Sequence, residues 1–136
     1  MGDRTLTVRW LGTTPYNEAW ALQRMLAAQR AARLIGNQLL LLEHPPVFTM
    51  GRGGEPSHLG EGADALVAAG AEYVDVDRGG SVTFHGPGQL VAYPILRLAD
   101  VVPIPQHSAR GDVLRYVRGL EQAAIATAAW FGISAE

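Results

Sequence analysis

From Thr5 to Leu11 apolar and polar residues alternate, with Leu6, Val8 and Trp10 on one side, the period-two pattern of a strand. Thr14 followed by Pro15 predicts a helix start, a hydroxyl N-cap with proline at the first helical position. Ala19, Leu22 and Leu26 then keep helical spacing, Tyr16, Trp20 and Met25 widen the apolar face, and the helix is expected to reach about Leu34 and end on Gly36-Asn37. The run Leu39-Leu40-Leu41-Leu42, inside a segment from Gln38 to Glu43, predicts a strand buried on both faces, stopped by His44-Pro45-Pro46. A further short strand is expected over Val47 to Met50 and a short helix over Ala63 to Ala69, closed by Gly70. Glu72 to Asp77 alternates again, and Gly79-Gly80 reads as a two-residue hairpin turn into a strand from Ser81 to Phe84. Gln89 to Leu96 is expected as a strand and 97 to 108 as a loop. Asp112 to Phe131 predicts a second long helix with Val113, Val117, Leu120, Ala124 and Ala128 on one side, and Ile133 to Glu136 the beginning of another element. Strands interleaved with helices place the chain in the α/β (α+β) class, a mixed sheet flanked by helices.

Composition narrows the picture. A chain of 136 residues, nearly half of them apolar, suits one folded domain with a real core. The formal net charge of -2 excludes a nucleic-acid protein driven by a basic patch. The start, Met1-Gly2-Asp3-Arg4, lacks the apolar core of a signal peptide, and no apolar run approaches the ~18 residues that span a bilayer. A soluble cytoplasmic protein without membrane or nucleic-acid partners is therefore expected. All eleven basic residues are arginine, and cysteine is absent, so thiolate catalysis, disulfides and zinc–thiolate sites are excluded within the chain. No cofactor motif is present, and the histidines at 44, 58, 85 and 107 lack zinc-site spacing. Ser57, Ser81, Ser108 and Ser134 lie in no nucleophile elbow and are read as structural.

The most informative segment is Arg78-Gly79-Gly80-Ser81-Val82-Thr83-Phe84-His85-Gly86-Pro87-Gly88-Gln89. Its four glycines fall within ten residues, and Arg78, Thr83 and His85 frame them. Glycine lets backbone approach a small molecule closely or take φ > 0. Two readings of Gly79-Gly80 stand together, a plain hairpin turn and a ligand cradle; His85 likewise reads as a structural hydrogen-bonder or a ligand contact. A phosphate-binding P-loop is excluded by the missing lysine and the absence of a following helix. His44 reads as the end of a strand, and His58 and His107 as solvated loop residues.

The pattern Arg78-Gly79-Gly80-x-x-Thr83-x-His85-Gly86-Pro87-Gly88-Gln89, followed by Tyr93-Pro94-Ile95, resembles the signature of octanoyltransferases (lipoyl/octanoyl transferases) of protein lipoylation. The upstream block Leu42-Glu43-His44-Pro45-Pro46-Val47-Phe48-Thr49-x-Gly51-Arg52 is similar to theirs, as is Tyr116-Val117-Arg118-x-Leu120-Glu121 with Phe131-Gly132-Ile133 downstream. Lipoate and biotin ligases share the fold but carry different glycine-rich segments.

The resemblance implies a biotin/lipoate ligase-like domain that moves an octanoyl group from octanoyl-acyl carrier protein to a lysine of lipoyl domains. The acceptors implied are the lipoyl domains of 2-oxoacid dehydrogenases and the glycine cleavage H protein. Carried over by position, it implies that Arg78, Gly79, Gly80, Ser81, Val82, Thr83, Phe84 and His85 line the acyl pocket, where burying the chain contributes roughly 0.8 kcal/mol per methylene. The family reacts through a cysteine thioester assisted by a lysine, and this chain has neither residue. The expectation is therefore that residues 1–136 are the N-terminal part of one such catalytic domain, without its catalytic residues. The alternative is a non-catalytic module that binds an acyl group or a lipoyl domain.

Overall fold

The structure, a computed structural model, describes residues 5–60 and 62–136. Strand β1 (Leu6–Thr13) leads into helix α1 (Tyr16–Ala31), which returns the chain to β2 (Asn37–Glu43), parallel to β1. After Pro45-Pro46 the chain forms β3 (Val47–Met50), a single 3-10 turn (Pro56–Leu59), helix α2 (Ala63–Ala68) and β4 (Glu72–Asp75). Then follow β5 (Val82–His85), β6 (Val91–Ile95), the short helix α3 (Leu98–Val101), the strands β7 (Pro103–Ile104) and β8 (His107–Gly111), and helix α4 (Val113–Trp130). The main strands form two three-stranded sheets, β1-β2-β6 and β4-β3-β5, each with one parallel and one antiparallel pair. The mixed sheets and accompanying helices match the expected class.

The core lies where α1 crosses the first sheet. Ala19 and Leu26 of α1 pack on Leu40 and Leu42 of β2 and on Val91 and Ile95 of β6. Cross-strand register pairs Leu40 with Tyr93 and Leu42 with Val91, so alternate residues present one face to the helix. The opposite face carries Val8, Leu39, Trp10, Leu41 and Ala92, and Trp10 stays 62% exposed there. The expected Leu6, Val8 and Trp10 stripe is therefore real but faces away from α1.

Several boundaries differ from expectation, each for a local reason. Helix α1 is capped by Pro15 without a side-chain bond, because the Thr14 hydroxyl donates to the Leu11 carbonyl instead. It ends at Ala31, where Arg33 takes φ of 60° and Leu34 N–H reaches back to the Gln29 carbonyl. That left-handed residue stops the helix before Gly36-Asn37, and Asn37 opens β2.

The expected hairpin at Gly79-Gly80 is not one. Strands β4 and β5 lie on opposite edges of β3, so the segment between them crosses the end of the sheet. A parallel β3–β4 pair leaves β5 the other edge, because each strand edge accepts one ladder. Residues 97–108, expected as a loop, hold α3, β7 and the start of β8. The side chains of His107 and Ser108, read as solvated and structural, lie outside the described residues. Ile133 to Glu136 form no strand. Helix α4 matches expectation closely, and Asp112 caps it by accepting from Arg115 N–H at 2.9 Å. None of its residues is buried, and Leu114 and Trp130 are 80% and 88% exposed. Among the described residues no helix is long and apolar enough to cross a membrane.

Candidate functional site

Two glycine loops meet at the end of the second sheet. The N–H groups of Gly51, Arg52 and Gly53 donate to the carbonyls of Ser81, Arg78 and Gly80, each at 3.0 Å. A Cβ on Gly51 would stand 2.5 Å from the Gly80 carbonyl oxygen and 2.8 Å from that of Gly79. Here glycine permits backbone to approach backbone. Gly80 has φ of 80°, a left-handed conformation that a branched side chain resists.

Arg78 braces this junction. Its Nη2 is shared among the Thr49 carbonyl at 3.0 Å, Thr49 Oγ1 at 2.8 Å and Thr83 Oγ1 at 2.8 Å, and its Nη1 reaches the Gly79 carbonyl at 2.9 Å. The guanidinium fork suits this multipoint grip, which a lysine point charge could not reproduce. Ser81 donates its hydroxyl to Nδ1 of His58, 2.5 Å away, and Glu55 N–H donates to the same nitrogen. One lone pair serving two donors makes this a tie between the glycine loop and the 3-10 turn. His58, expected to be merely solvated, is exposed but bonded.

Strand alternation divides the predicted pocket residues. In β5, Thr83 pairs with buried Thr49 and His85 with buried Val47, so Thr83 and His85 share one face. Val82 and Phe84 point to the other, where Phe84 packs its ring 4.9 Å from Phe48. The two sets of side chains therefore face opposite sides of β5. The structure brings together Arg78, Thr83 and the Gly79-Gly80 backbone.

His85 belongs to a second cluster that sequence reasoning missed. His44, fully buried at the end of β2, has ring partners Tyr16, His85 and Tyr93 at centroid distances of 5.3, 5.7 and 6.0 Å. Its Nδ1 lies 2.7 Å from the Thr14 carbonyl, which can only accept, so Nδ1 carries the proton. Nε2 is then the lone pair, and the Tyr93 hydroxyl donates to it at 2.9 Å. Burial pushes the His44 pKa down, and the neighbouring His85 adds to this against the Thr14 carbonyl. Burial, with Tyr16 beside it, pushes the Tyr93 phenol up to about 12. His44 therefore holds a neutral, oriented imidazole. The signal was present in Glu43-His44-Pro45-Pro46 and Tyr93-Pro94, but only the β2–β6 register brings the two segments together.

His85 Nδ1 donates to Gln89 Oε1, leaving Nε2 with a free lone pair among the described residues. The intervening Gly86-Pro87-Gly88-Gln89 is a tight turn, with proline second, Gly88 third at φ of 84°, and Gln89 N–H bonded to the Gly86 carbonyl at 3.1 Å. Gly88 N–H donates to Glu43 Oε2 at 2.9 Å, fastening the turn to β2 beside His44. Among the described residues, no three His, Asp or Glu side chains converge as a metal ion requires.

A profile of the lipoyl protein ligase A/B catalytic domain matches residues 15–136. The chain belongs to that family. It is 50% identical over 133 residues to the octanoyltransferase of Chloroflexus aurantiacus, covering 98% of this chain and 56% of that protein. The octanoyltransferase of Rubrobacter xylanophilus is 50% identical over 130 residues, 94% of this chain and 54% of its own length. That of Rhodococcus opacus is 48% identical over 128 residues, 94% and 43% respectively. The chain thus spans about half the length of the curated relatives it matches.

Proposed function

We propose that this chain forms the acyl-holding part of an octanoyltransferase. The reaction moves an octanoyl group from the thioester of acyl carrier protein to the ε-amine of a lysine in a lipoyl domain, of the kind found in 2-oxoacid dehydrogenases and the glycine cleavage H protein. The observation that carries this reading is the 50% identity to an octanoyltransferase over almost the whole chain. In the first half-reaction an enzyme thiolate attacks the thioester carbonyl and the carrier thiol leaves. In the second, the lysine amine attacks the enzyme thioester, an amide forms and the thiol is released. Neither cysteine nor lysine occurs among the 136 residues, so the nucleophile is not supplied here.

In this reading Arg78 positions the glycine turn, whose backbone N–H donors face the acyl carbonyl as an oxyanion site. Gly79, Gly80, Ser81 and Thr83 form the wall at the carbonyl end. Val82 and Phe84 support the far side of the strand. His85 Nε2, left open by the bond of Nδ1 to Gln89, is a proton acceptor at the other end of the same strand, and His44 packs against its ring. The absence of both reactive residue types also favours a second reading, a module that binds the acyl group or the lipoyl domain without transferring it.

The test joins this chain to the remainder of the Chloroflexus octanoyltransferase and follows octanoylation of a lipoyl domain by intact mass. The chimera is expected to transfer, and the isolated chain to give neither acyl-enzyme nor product. An inactive chimera beside an active parent, with an isolated chain that still binds an octanoyl thioester, would establish the binding module instead.

A further inference from the structure

A cavity of about 520 Å³ opens between the last turns of α1 and the segment that leaves β6. Arg30, at its charged end, stands fourteen residues from Tyr16 on α1, about 21 Å along the helix, whereas Gln23, which also lines it, neighbours Tyr93 of the His44 cluster. Its wall is mixed, with apolar Ala27 and Ala31 on the helix, Pro94, Ile95 and Leu98 opposite, and the Gln23 amide toward β6. Arg30 and Arg97 are the charged residues that line it.

Arg30 is 92% buried, being only 8% exposed, an uncommon place for a guanidinium. Its Nε donates to Asn37 Oδ1 at 2.8 Å and its Nη2 to Asp100 Oδ2 at 2.7 Å. A guanidinium has five N–H donors, and these are its only two partners among the described residues. Its Nη1 is not a sealed buried atom, since Gln38 Oε1 is the buried side-chain atom left without a partner, and Arg30 lines the cavity. Arg97 is similarly underused: Nη1 bonds Asp100 Oδ1, and its other donors have no partner among the described residues. One carboxylate thus serves two guanidiniums, leaving one positive charge in excess beside an apolar strip.

We propose that this cavity binds a small aliphatic monocarboxylate, its head between Arg30 and Arg97 and its chain along Ala27, Ala31 and Leu98. A single negative charge balances the local excess, and a planar carboxylate matches the guanidinium fork. A cavity of this volume, with an apolar strip running beside two guanidiniums, has room for a small ligand with a charged head and an aliphatic chain. Asp100 presets both guanidiniums, so little side-chain freedom is lost on binding. The cavity borders the His44 cluster through Gln23 and Tyr93, but the carboxylate head sits at its other end, between Arg30 and Arg97.

The test is titration of the whole chain with hexanoate, hexanamide or inorganic phosphate, read residue by residue from backbone amide shifts. Hexanoate is expected to move the amides of Ala31, Arg97 and Leu98 saturably, while hexanamide does not. Arg97→Gln should weaken binding at least tenfold. Ala27→Leu, on the exposed side of α1, should abolish it by filling the wall without touching a charge. Arg30→Gln is avoided as the main variant, because Asn37 and Asp100 would lose their shared partner. No saturable shift, equal shifts with hexanamide, shifts confined to His85 and Gly86, or phosphate binding in place of hexanoate would each overturn the proposal.

Discussion

Tyr93→Phe deletes one hydroxyl and leaves the ring, and its consequence follows from the tautomer of His44. With Nδ1 committed as donor to Thr14, Nε2 can only accept, and the Tyr93 hydroxyl is its partner. His44 is 0% exposed, so no water replaces that donor at the surface. Leaving a buried acceptor unsatisfied costs about 1–3 kcal/mol. With an unfolding entropy of roughly 2.1 cal/mol/K per residue, this chain loses about 0.29 kcal/mol of stability per degree near its midpoint. The variant is therefore expected to melt about 3–10 °C lower than the parent. The matched control is Tyr73→Phe, whose hydroxyl donates to Asp75 at an exposed position and should matter by less than about 0.5 kcal/mol. The assay is thermal unfolding by circular dichroism at pH 8, where His44 is neutral, with NMR of the His44 ring nitrogens. Equal melting of the two variants would refute the claim that Tyr93 satisfies His44.

Other consequences can be checked with the same preparation. Gly51→Ala drives a Cβ to 2.5 Å from a backbone oxygen and should cost about 2 kcal/mol or more, whereas Gly119→Ala, in α4 with open space around it, should stabilise by about 0.5–1 kcal/mol; chemical denaturation of both measures the contrast. The folded-state pKa of His44 lies below its ordinary 6.5, so the unfolded chain binds more protons as pH drops. Its contribution is complete above about 6.5 and is lost as pH falls toward the folded value; a denaturation series from pH 8 to 5 should show that slope, and His44→Asn should flatten it. The uncovered apolar side of α4 and its C-cap, including Val117, Leu120 and Phe131, should make the isolated chain self-associate; light scattering should show this and Leu120→Glu should reduce it.

Much of the local structure was legible from residue order alone. Alternation in 5–11, the leucine run before Pro45-Pro46, and Asp112 ahead of an apolar period marked β1, β2 and α4 within a few residues. These features depend on short-range chemistry: strand and helix periods, a side-chain cap, a proline stop. The same holds for Gly86-Pro87-Gly88-Gln89, whose turn conformation is dictated by its own glycine and proline. Glycine-rich composition also marked the segment around Arg78 as special, and the order of its residues carried the family likeness.

The tertiary structure decided which residues work together. Gly79-Gly80 permits a hairpin locally, but β3 lies between β4 and β5, so the same glycines join two loops across the sheet end. Arg78 has no local sequence signal for its partners; the β3–β5 register brings Thr49 and Thr83 to its guanidinium. His44 and Tyr93 are 49 residues apart, and only the antiparallel pairing of β2 with β6 places one hydroxyl on one imidazole nitrogen. Arg30 and Asp100 are 70 residues apart and meet because α3 folds back toward the end of α1. Periodicity carries information over a few residues along the chain, whereas hydrogen-bond partners and burial depend on separations that only the closed sheet and the helix packed on it determine.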